Sequence, residues 1–196
     1  MHYLAVVVLA AGRSSRMGRP KQLLPWKGTT LLRHAVEQAR GLNATVYVVL
    51  GAHHERLRNH LAGTAVCTTI NERFAEGMTA SIRCGVEAVM ATHQQLVPLL
   101  FMLVDQPQVD TAYLQRLVTA HRQYPQHIIA TAYPNKPGVP ALFPADNLVD
   151  LLALTGEAGA GTYLAGQGER VRLVQPAVPF FDLDTPQDYR RRYEGD

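Results

Sequence analysis

The sequence predicts an α/β fold in which helices cover both faces of a mostly parallel sheet. Short segments rich in apolar and β-branched residues recur along the chain, at residues 4–9, 45–50, 65–70, 97–104, 127–132 and 171–174. Helical patterns separate most of them, at residues 30–40, 53–61, 79–92 and 111–124. Strands that are apolar throughout, rather than alternating apolar and polar, are typical of parallel sheets buried on both faces.

Length and composition predict one globular domain spanning residues 1–196. The chain is long enough to bury a continuous core. The chain has 47% apolar and 18% charged residues, and its 15 Gly and 12 Pro are dispersed along it. This composition excludes a disordered, collagen-like or low-complexity protein. Cys67 and Cys84 are too few for a disulfide scaffold and match no zinc module, so we interpret both as core residues. A reducing, cytoplasmic location is therefore expected.

The first apolar segment, residues 4–9, is interpreted as a buried strand. No Lys or Arg precedes it and a polar loop follows directly, unlike an export signal. It is also far shorter than the roughly 20 apolar residues that a membrane-spanning helix needs. No later stretch is apolar enough, so no membrane association is expected. The helix predicted next has one apolar stripe, formed by Leu31, Leu32, Ala35, Val36 and Ala39.

Positive charge is concentrated near the start of the chain, although the formal net charge is only +3. Six basic residues precede Glu37, the first acidic residue: Arg13, Arg16, Arg19, Lys21, Lys27 and Arg33. Such a segment can bind nucleic acid or a polyphosphate. Because no helix-turn-helix, zinc-finger or RNP-type pattern accompanies it, we expect no nucleic-acid partner.

The loop after the first strand has the composition of a phosphate-binding loop. Residues 9–21 read L-A-A-G-R-S-S-R-M-G-R-P-K. Three kinds of group in this loop can bind an anion. Gly12 and Gly18 give a flexible backbone, and Ser14 and Ser15 give hydroxyls. The positive charges come from Arg13, Arg16 and Lys21. The spacing fits neither a Walker A loop nor the dinucleotide G-x-G-x-x-G motif. The chemistry predicts phosphate binding, against the alternative of a solvated basic loop.

This loop resembles the signature L-A-A-G-x-S-S-R-M-G-x-x-K, followed by Q-L-L-P and T-L-L, of MobA-like nucleotidyltransferases, and within them the molybdopterin cytidylyltransferase branch. The resemblance implies a three-layer, Rossmann-like nucleotidyltransferase fold. It also implies that the loop wraps an NTP triphosphate, which Arg16 and Lys21 neutralise. Since the CTP-using branch has Ala where the GTP-using branch has Gly, Ala11 favours CTP. The nucleotide-binding residues expected here are Leu9, Ala10, Ala11, Gly12, Arg13, Ser14, Ser15, Arg16 and Lys21.

A second segment, at residues 71–82, reads N-E-R-F-A-E-G-M-T-A-S-I and resembles the family pattern N-x-x-x-x-x-G-M-S-x-S-L. We expect Gly77 to free the backbone near a flat base, and Thr79 to cap the helix that follows. The resemblance implies that this segment helps to hold the base and ribose. The residues assigned to it are Asn71, Gly77, Met78 and Ser81.

Asp105 follows the apolar segment 97–104 directly. A carboxylate at the end of a buried strand must be paired, hydrogen-bonded or bound to a cation. Mg²⁺ prefers one or two carboxylates plus substrate phosphates. The next helix has its own capping candidates in Asp110 and Thr111. The triplet D-Q-P at 105–107 also resembles the family's metal-binding D-x-P, which implies a catalytic, nucleotide-contacting and Mg²⁺-binding Asp105.

Asp182 and Asp184 lie two residues apart in F-F-D-L-D-T-P, so in an extended segment both side chains point the same way. Two carboxylates on one face repel each other unless a cation or base lies between them. Thr185 and Pro186 are predicted to begin a helix, with Pro in its first turn. Family members carry D-x-D-T-P or N-x-N-T-P here, and one of the two residues completes the metal site. The sequence does not choose between them, and solvated surface acids are the alternative.

On the acceptor side, residues 138–143 resemble the family's G-x-P-x-L-F strand, which lines the acceptor pocket. The following family element, G-D-x-G-A-R, is altered to G-E-A-G-A-G at residues 156–161. The acid is longer and the Arg is missing. Because an Arg would grip an anionic acceptor, this change leaves the identity of the acceptor open.

The resemblance implies a Mg²⁺-dependent reaction in which an NTP and a phosphorylated acceptor give a nucleotidylated product and pyrophosphate. CTP and molybdopterin are the favoured pair of substrates. The catalytic residues are then Arg16, Lys21 and Asp105, and a molybdoenzyme is a candidate recipient of the product. Three alternatives stay open. They are a sugar or alcohol phosphate as acceptor, GTP in place of CTP, and a nucleotide-binding chaperone that escorts a cofactor without turnover.

Overall fold

The computed structural model of the protein describes residues 4–156 and 159–193. Glu157 and Ala158, which belong to the altered acceptor element, lie outside the described residues. The strands are β1 (Ala5–Leu9), β2 (Pro25–Trp26), β3 (Thr29–Thr30), β4 (Thr45–Leu50), β5 (Cys67–Ile70), β6 (Leu99–Leu103), β7 (Ile128–Ala132), β8 (Pro137–Phe143) and β9 (Val171–Val174). The helices are α1 (Leu31–Arg40), α2 (His54–His60), α3 (Met78–Thr92), α4 (Thr111–Gln123), α5 (Leu148–Leu152), α6 (Gly159–Gly166) and α7 (Pro186–Tyr193).

Seven of these strands form the central sheet, in the order β5-β4-β1-β6-β8-β7-β9. Strands β5, β4, β1 and β6 are parallel to one another, and β9 is parallel to β7. Strand β8 runs antiparallel to both of its neighbours. The predicted α/β fold with a mostly parallel sheet is confirmed. The two remaining strands, β2 and β3, form a separate short hairpin.

Strand β1 lies in the interior of the sheet, between β4 and β6, and contributes to a core on each face. All five of its residues are buried, as a position with helices on both sides requires. Val6 packs in the cluster that contains Val36 of α1 and residues of α2 and α4. Val7 packs in the opposite cluster with Val86 of α3 and residues of α5 and α6. Burial of each such side chain stabilises the fold by about 1.5–3 kcal/mol.

Most predicted elements are present with small changes in their ends. Helix α1 begins after Thr30, whose side chain accepts a hydrogen bond from the Arg33 backbone at 3.2 Å. The expectation that Thr79 caps the next long helix is wrong, because α3 begins at Met78 and Gly77 is its N-cap residue. The interpretation of Cys67 as a core residue is also wrong. It begins the edge strand β5 and is exposed.

A third, smaller cluster joins the end of the chain to its beginning. Trp26, Leu31, Leu183 and Tyr189 are buried together in it. The Tyr189 hydroxyl donates to the Pro25 carbonyl at 2.7 Å. These contacts bring the acidic segment 182–184 beside the basic loop. No helix in residues 4–156 and 159–193 is long and apolar enough to cross a membrane.

Candidate active site

A cleft opens at the carboxyl ends of β1 and β6. Its cavity has a volume of about 230 Å³. In parallel α/β sheets ligands bind at this edge, where loops follow the strands. The residues predicted to bind nucleotide that line the cavity are Leu9, Ala10, Ala11, Gly12, Lys21, Gly77, Met78, Ser81 and Asp105.

Gln22 holds the loop after β1 in shape, a role that the sequence analysis missed. It is fully buried, and its Nε2 donates to the carbonyls of Ala10 and Gly12, both at 2.9 Å. The Ser14 hydroxyl donates to Gln22 Oε1 at 3.2 Å and accepts from the Lys21 backbone N–H at 3.1 Å. The hydroxyl of Ser14, predicted to bind nucleotide, is therefore turned into the loop. The signal in the sequence for this role is a Gln that directly follows the basic loop.

Other predicted residues lie around the cavity rather than in its lining. The Arg13 guanidinium lies over the Phe74 ring, 5.3 Å from its centroid, and Phe74 itself lines the cavity. Ser15 is exposed at the start of a short 3-10 turn. Asn71 and Ser81 are both buried, and Asn71 Nδ2 donates to Ser81 Oγ at 3.0 Å. Asn71 thus braces a cavity-lining residue.

The N-terminus of α3 faces the same cavity. Gly77, its N-cap residue, has φ 97° and ψ −169°, a conformation that side-chain-bearing residues rarely adopt. The backbone therefore turns into the helix at a point where Gly77, Met78 and Ser81 line the cleft. The first N–H groups of a 15-residue helix carry partial positive charge, which suits an anionic ligand.

Three segments distant in sequence meet at Lys21. Its Nζ donates to Oδ2 of Asp105 and, at 2.8 Å, to Oδ1 of Asp184. Arg16 donates to the second oxygen of Asp184, also at 2.8 Å. The backbone N–H of Leu183 donates to the Asp105 carbonyl at 3.0 Å, which fixes the acidic segment beside the end of β6. The structure thus brings Arg16, Lys21, Asp105 and Asp184 together.

Asp182 has different partners from Asp184. Its Oδ1 accepts a hydrogen bond from Gln106 Nε2 at 2.9 Å. The same nitrogen donates to the Tyr133 hydroxyl at 2.9 Å, and that hydroxyl donates to the Val139 carbonyl at 2.7 Å. Neither Gln106 nor Tyr133 was predicted as a site residue. No local pattern identifies Tyr133, because its link to the site is made only by folding.

The environments of the charged groups shift their pKa values in different directions. Burial, with a contribution from Asp182, raises the pKa of Asp105 despite the opposing effect of Lys21. Burial alone would lower the pKa of Lys21, but Asp105 and Asp184 outweigh it, so the pKa rises. For Asp184 the effect of burial is outweighed by Lys21 and Arg16, and its pKa falls. Lys21 and Asp184 therefore stay charged. For Asp105, the attraction to Lys21 does not fully offset the cost of burying the carboxylate charge.

The carboxylates suit a divalent cation. Asp105 Oδ1 is buried and has no hydrogen-bond partner among the described residues. Asp182 is near enough to influence the pKa of Asp105. In the described part of the chain no three His, Cys, Asp or Glu side chains form a metal-binding group. Two carboxylates, with water and phosphate as further ligands, are the kind of site that Mg²⁺ accepts. The residues fit such an ion.

Comparison with known proteins identifies the family. A sequence profile of the MobA-like NTP transferase domain matches residues 6–172, a span that includes the loop after β1, the α3 N-terminus and Asp105. The chain belongs to the MobA-like NTP transferase family. The family resemblance predicted from the loop is confirmed, and with it membership of a group of nucleotidyltransferases.

Two curated relatives of this MobA-like protein carry different names. Nicotine blue oxidoreductase of Paenarthrobacter nicotinovorans is 33% identical over 179 residues, which cover 86% of this chain and 84% of the relative. Molybdenum cofactor cytidylyltransferase of Escherichia coli K12 is 32% identical over 94 residues, 47% of this chain and 49% of the relative. Molybdenum cofactor guanylyltransferases also match.

Among solved structures, the Mycobacterium tuberculosis H37Rv protein Rv0371c has the same fold. It superposes with a TM-score of 0.81 at 32% identity, and the match covers 98% of each chain. A second structure of Rv0371c is a complex with manganese, with a TM-score of 0.78, 31% identity and 98% and 99% of the two chains covered.

Proposed function

We propose that this MobA-like protein transfers a nucleotidyl group from an NTP to a phosphorylated acceptor and releases pyrophosphate. CTP is the favoured NTP and molybdopterin the favoured acceptor. The observation that carries the proposal is the meeting of Lys21, Asp105 and Asp184 beside the loop after β1. This is a set of charges suited to a triphosphate and a cation, at the edge of the sheet where ligands bind.

In this mechanism the acceptor supplies its own nucleophile. An acceptor phosphate oxygen forms a bond to the α-phosphorus, the bond to the bridging oxygen breaks, and pyrophosphate leaves with that electron pair. The chain positions the reactants and offsets charge rather than forming a covalent intermediate. Arg16 and Lys21 bind the triphosphate oxygens and stabilise the charge that gathers on the leaving group.

Asp105 and Asp182 are the residues that would hold Mg²⁺. Asp184 already has two cationic partners, Lys21 and Arg16, whereas Asp105 keeps a buried oxygen without a partner in the described chain. When bound, Mg²⁺ supplies a Lewis acid beside the phosphates. The role of Asp184 is then to orient Arg16 and Lys21 toward the triphosphate.

The choice of base and acceptor rests on fewer observations. Ala11 lines the cavity and is the residue that favours CTP over GTP. Both cytidylyl- and guanylyltransferases are among the relatives, so GTP remains the second candidate base. The altered element at residues 156–161 keeps a sugar or alcohol phosphate open as the acceptor.

Pyrophosphate release tests the proposal directly. The purified protein is incubated with Mg²⁺, molybdopterin and each NTP in turn. We expect release with CTP and little with the other nucleotides, because Ala11 in the cavity lining favours CTP. Release with GTP instead would overturn the base assignment. Binding of an NTP without release with molybdopterin or with sugar and alcohol phosphates would contradict the transferase reaction and favour the cofactor chaperone.

A second candidate function follows from the Paenarthrobacter relative, whose name is that of an oxidoreductase. A reductase would consume a two-electron donor such as NADPH and release no pyrophosphate from an NTP. The paired Lys21 and Asp105 argue for the transferase, because a triphosphate and a cation need such charges whereas hydride transfer does not. Measuring NADPH oxidation beside pyrophosphate release separates the two functions.

A further inference from the structure

We infer that Gln106 and Tyr133 are positioning residues that orient the Asp182 carboxylate for the cation. The inference rests on the proposed function, because it extends the site that would hold Mg²⁺. Neither side chain would touch the substrate. They act through Asp182, which Gln106 contacts directly and Tyr133 reaches through Gln106.

The hydrogen-bond pattern fixes the orientation of the Gln106 amide. The Tyr133 hydroxyl has one hydrogen, which it donates to the Val139 carbonyl at 2.7 Å, so toward Gln106 it can only accept. The Asp182 carboxylate is likewise an acceptor. Both bonds, each of 2.9 Å, must therefore come from Gln106 Nε2, which uses both of its hydrogens. Flipping the amide would place an oxygen against two acceptors.

The opposite end of the same amide is unpaired. Gln106 is a buried residue, and its Oε1 has no hydrogen-bond partner within the described ranges. The preceding residue, Asp105, also leaves one buried oxygen without a partner there. Two adjacent residues thus each present an unsatisfied acceptor, which is rare in folded proteins. A hydrated cation and its water would satisfy acceptors of this kind.

Tyr133 is held in place from two sides. Its hydroxyl is bound at both the Val139 carbonyl and Gln106, and its ring lies against the backbone of Gly138. A Cβ at position 138 would lie 2.7 Å from ring atom Cε2 and 2.9 Å from Cδ2. Any side chain there would displace the ring, so Gly138 is part of the same arrangement.

The hairpin of β7 and β8 has a brace besides the Tyr133 hydroxyl. A separate buried chain of hydrogen bonds braces it. Tyr113 donates to Thr131 Oγ1 at 2.9 Å, and Thr131 donates to the Pro140 carbonyl at 2.7 Å. Tyr113, in α4, is a buried tyrosine whose hydroxyl bonds to the same hairpin, and its hydrogen-bond partners within the described ranges are Thr131 and the Val174 carbonyl rather than a carboxylate of the site. It provides a matched control.

The test is Mn²⁺ binding to the free protein, measured by calorimetry without any NTP. We expect Tyr133→Phe and Gln106→Leu each to raise the Mn²⁺ dissociation constant by about tenfold, as loss of an orienting contact does at other metal sites. Tyr113→Phe should bind Mn²⁺ like the wild type, although it removes an equivalent hydroxyl. In turnover, the metal concentration for half-maximal activity should rise in the first two variants, while the KM for CTP stays unchanged.

The outcomes separate this inference from the proposed function. Wild-type affinity for Mn²⁺ in Tyr133→Phe would overturn the inference, even if Gln106→Leu fails to fold. Equal weakening in Tyr113→Phe would also overturn it, because the effect would then be structural. Weakened binding in the two variants, with no pyrophosphate released by the wild type from any NTP, would support the inference and overturn the transferase reaction. A wild-type protein that binds no Mn²⁺ would overturn the inference.

Discussion

At the scale of single residues, Asp105 is held in a place that favours its function over stability. Because burial raises its pKa, the ionised carboxylate destabilises the folded state at neutral pH. We therefore predict that Asp105→Asn lowers turnover by at least about a hundredfold and leaves the protein at least as stable. Pyrophosphate release and thermal melting check this, with the exposed Asp146→Asn as control. Full activity in Asp105→Asn would remove Asp105 from the mechanism.

Two arginines of the basic loop allow the role of charge to be separated from the role of position. Arg16 and Arg19 are both exposed, but only Arg16 is ion-paired to Asp184 and so directed toward the site. We predict that Arg16→Ala raises the KM for the NTP by about tenfold, the effect of losing one charge-assisted contact. Arg19→Ala should leave it unchanged. Equal effects in steady-state kinetics would mean that only the net charge of the loop matters.

At the scale of the element, the loop after β1 depends on one buried side chain. Gln22→Leu keeps the volume but leaves the carbonyls of Ala10 and Gly12 without their donor. We predict a loss of about 2–3 kcal/mol in the free energy of unfolding, together with a higher KM for the NTP. Urea denaturation and kinetics measure the two effects. Gln115→Leu, on the surface helix α4, is the control and should change neither.

Helix α7 begins with a reciprocal pair of hydrogen bonds between Thr185 and Asp188. The Asp188 N–H donates to Thr185 Oγ1 at 3.1 Å, and the Thr185 hydroxyl donates back to the carboxylate at 2.7 Å. We predict that Thr185→Ala lowers the free energy of unfolding by about 1 kcal/mol. Thr185→Ser keeps the hydroxyl and should therefore retain most of this stability.

The same pair of hydrogen bonds predicts that the destabilisation caused by Thr185→Ala depends on pH. The hydrogen bonds from Thr185 lower the pKa of Asp188. A lowered pKa in the folded state adds stability at neutral pH, and that stability is lost as the pH falls through the ordinary carboxyl range. The difference in unfolding free energy between wild type and Thr185→Ala should therefore shrink below about pH 4. A difference that grows on acidification would contradict this assignment.

At the scale of the whole molecule, the site joins parts of the chain that are far apart in sequence. Lys21 contacts residues 84 and 163 positions away, so a bound nucleotide would tie both ends of the protein together. CTP with Mg²⁺ at about 100 times its Kd should stabilise the fold by about 2.7 kcal/mol. For a chain of this size the melting temperature should rise by about 5–10 °C. No shift with any NTP would contradict nucleotide binding.

The sequence predicted those parts of the site that lie at the ends of apolar segments. The loop at residues 9–21, the α3 N-terminus at Gly77 and the end of β6 at Asp105 all line one cavity, because parallel strands bring their carboxyl ends to one edge. It did not predict Gln22 as the brace of that loop. A buried Gln looks like any polar loop residue until its two carbonyl partners are brought to it.

By itself, then, the sequence determined most strands of the sheet, its longer helices and the family, because hydrophobic periodicity and a long loop motif are local properties of the chain. Only the tertiary structure decided how the carboxylates are divided. Asp182 and Asp184 are equivalent in the extended pattern F-F-D-L-D, yet one meets Gln106 and the other meets Lys21 and Arg16. The physical reason is that a pKa, an ion pair or a buried unpaired oxygen depends on neighbours that folding brings from distant segments.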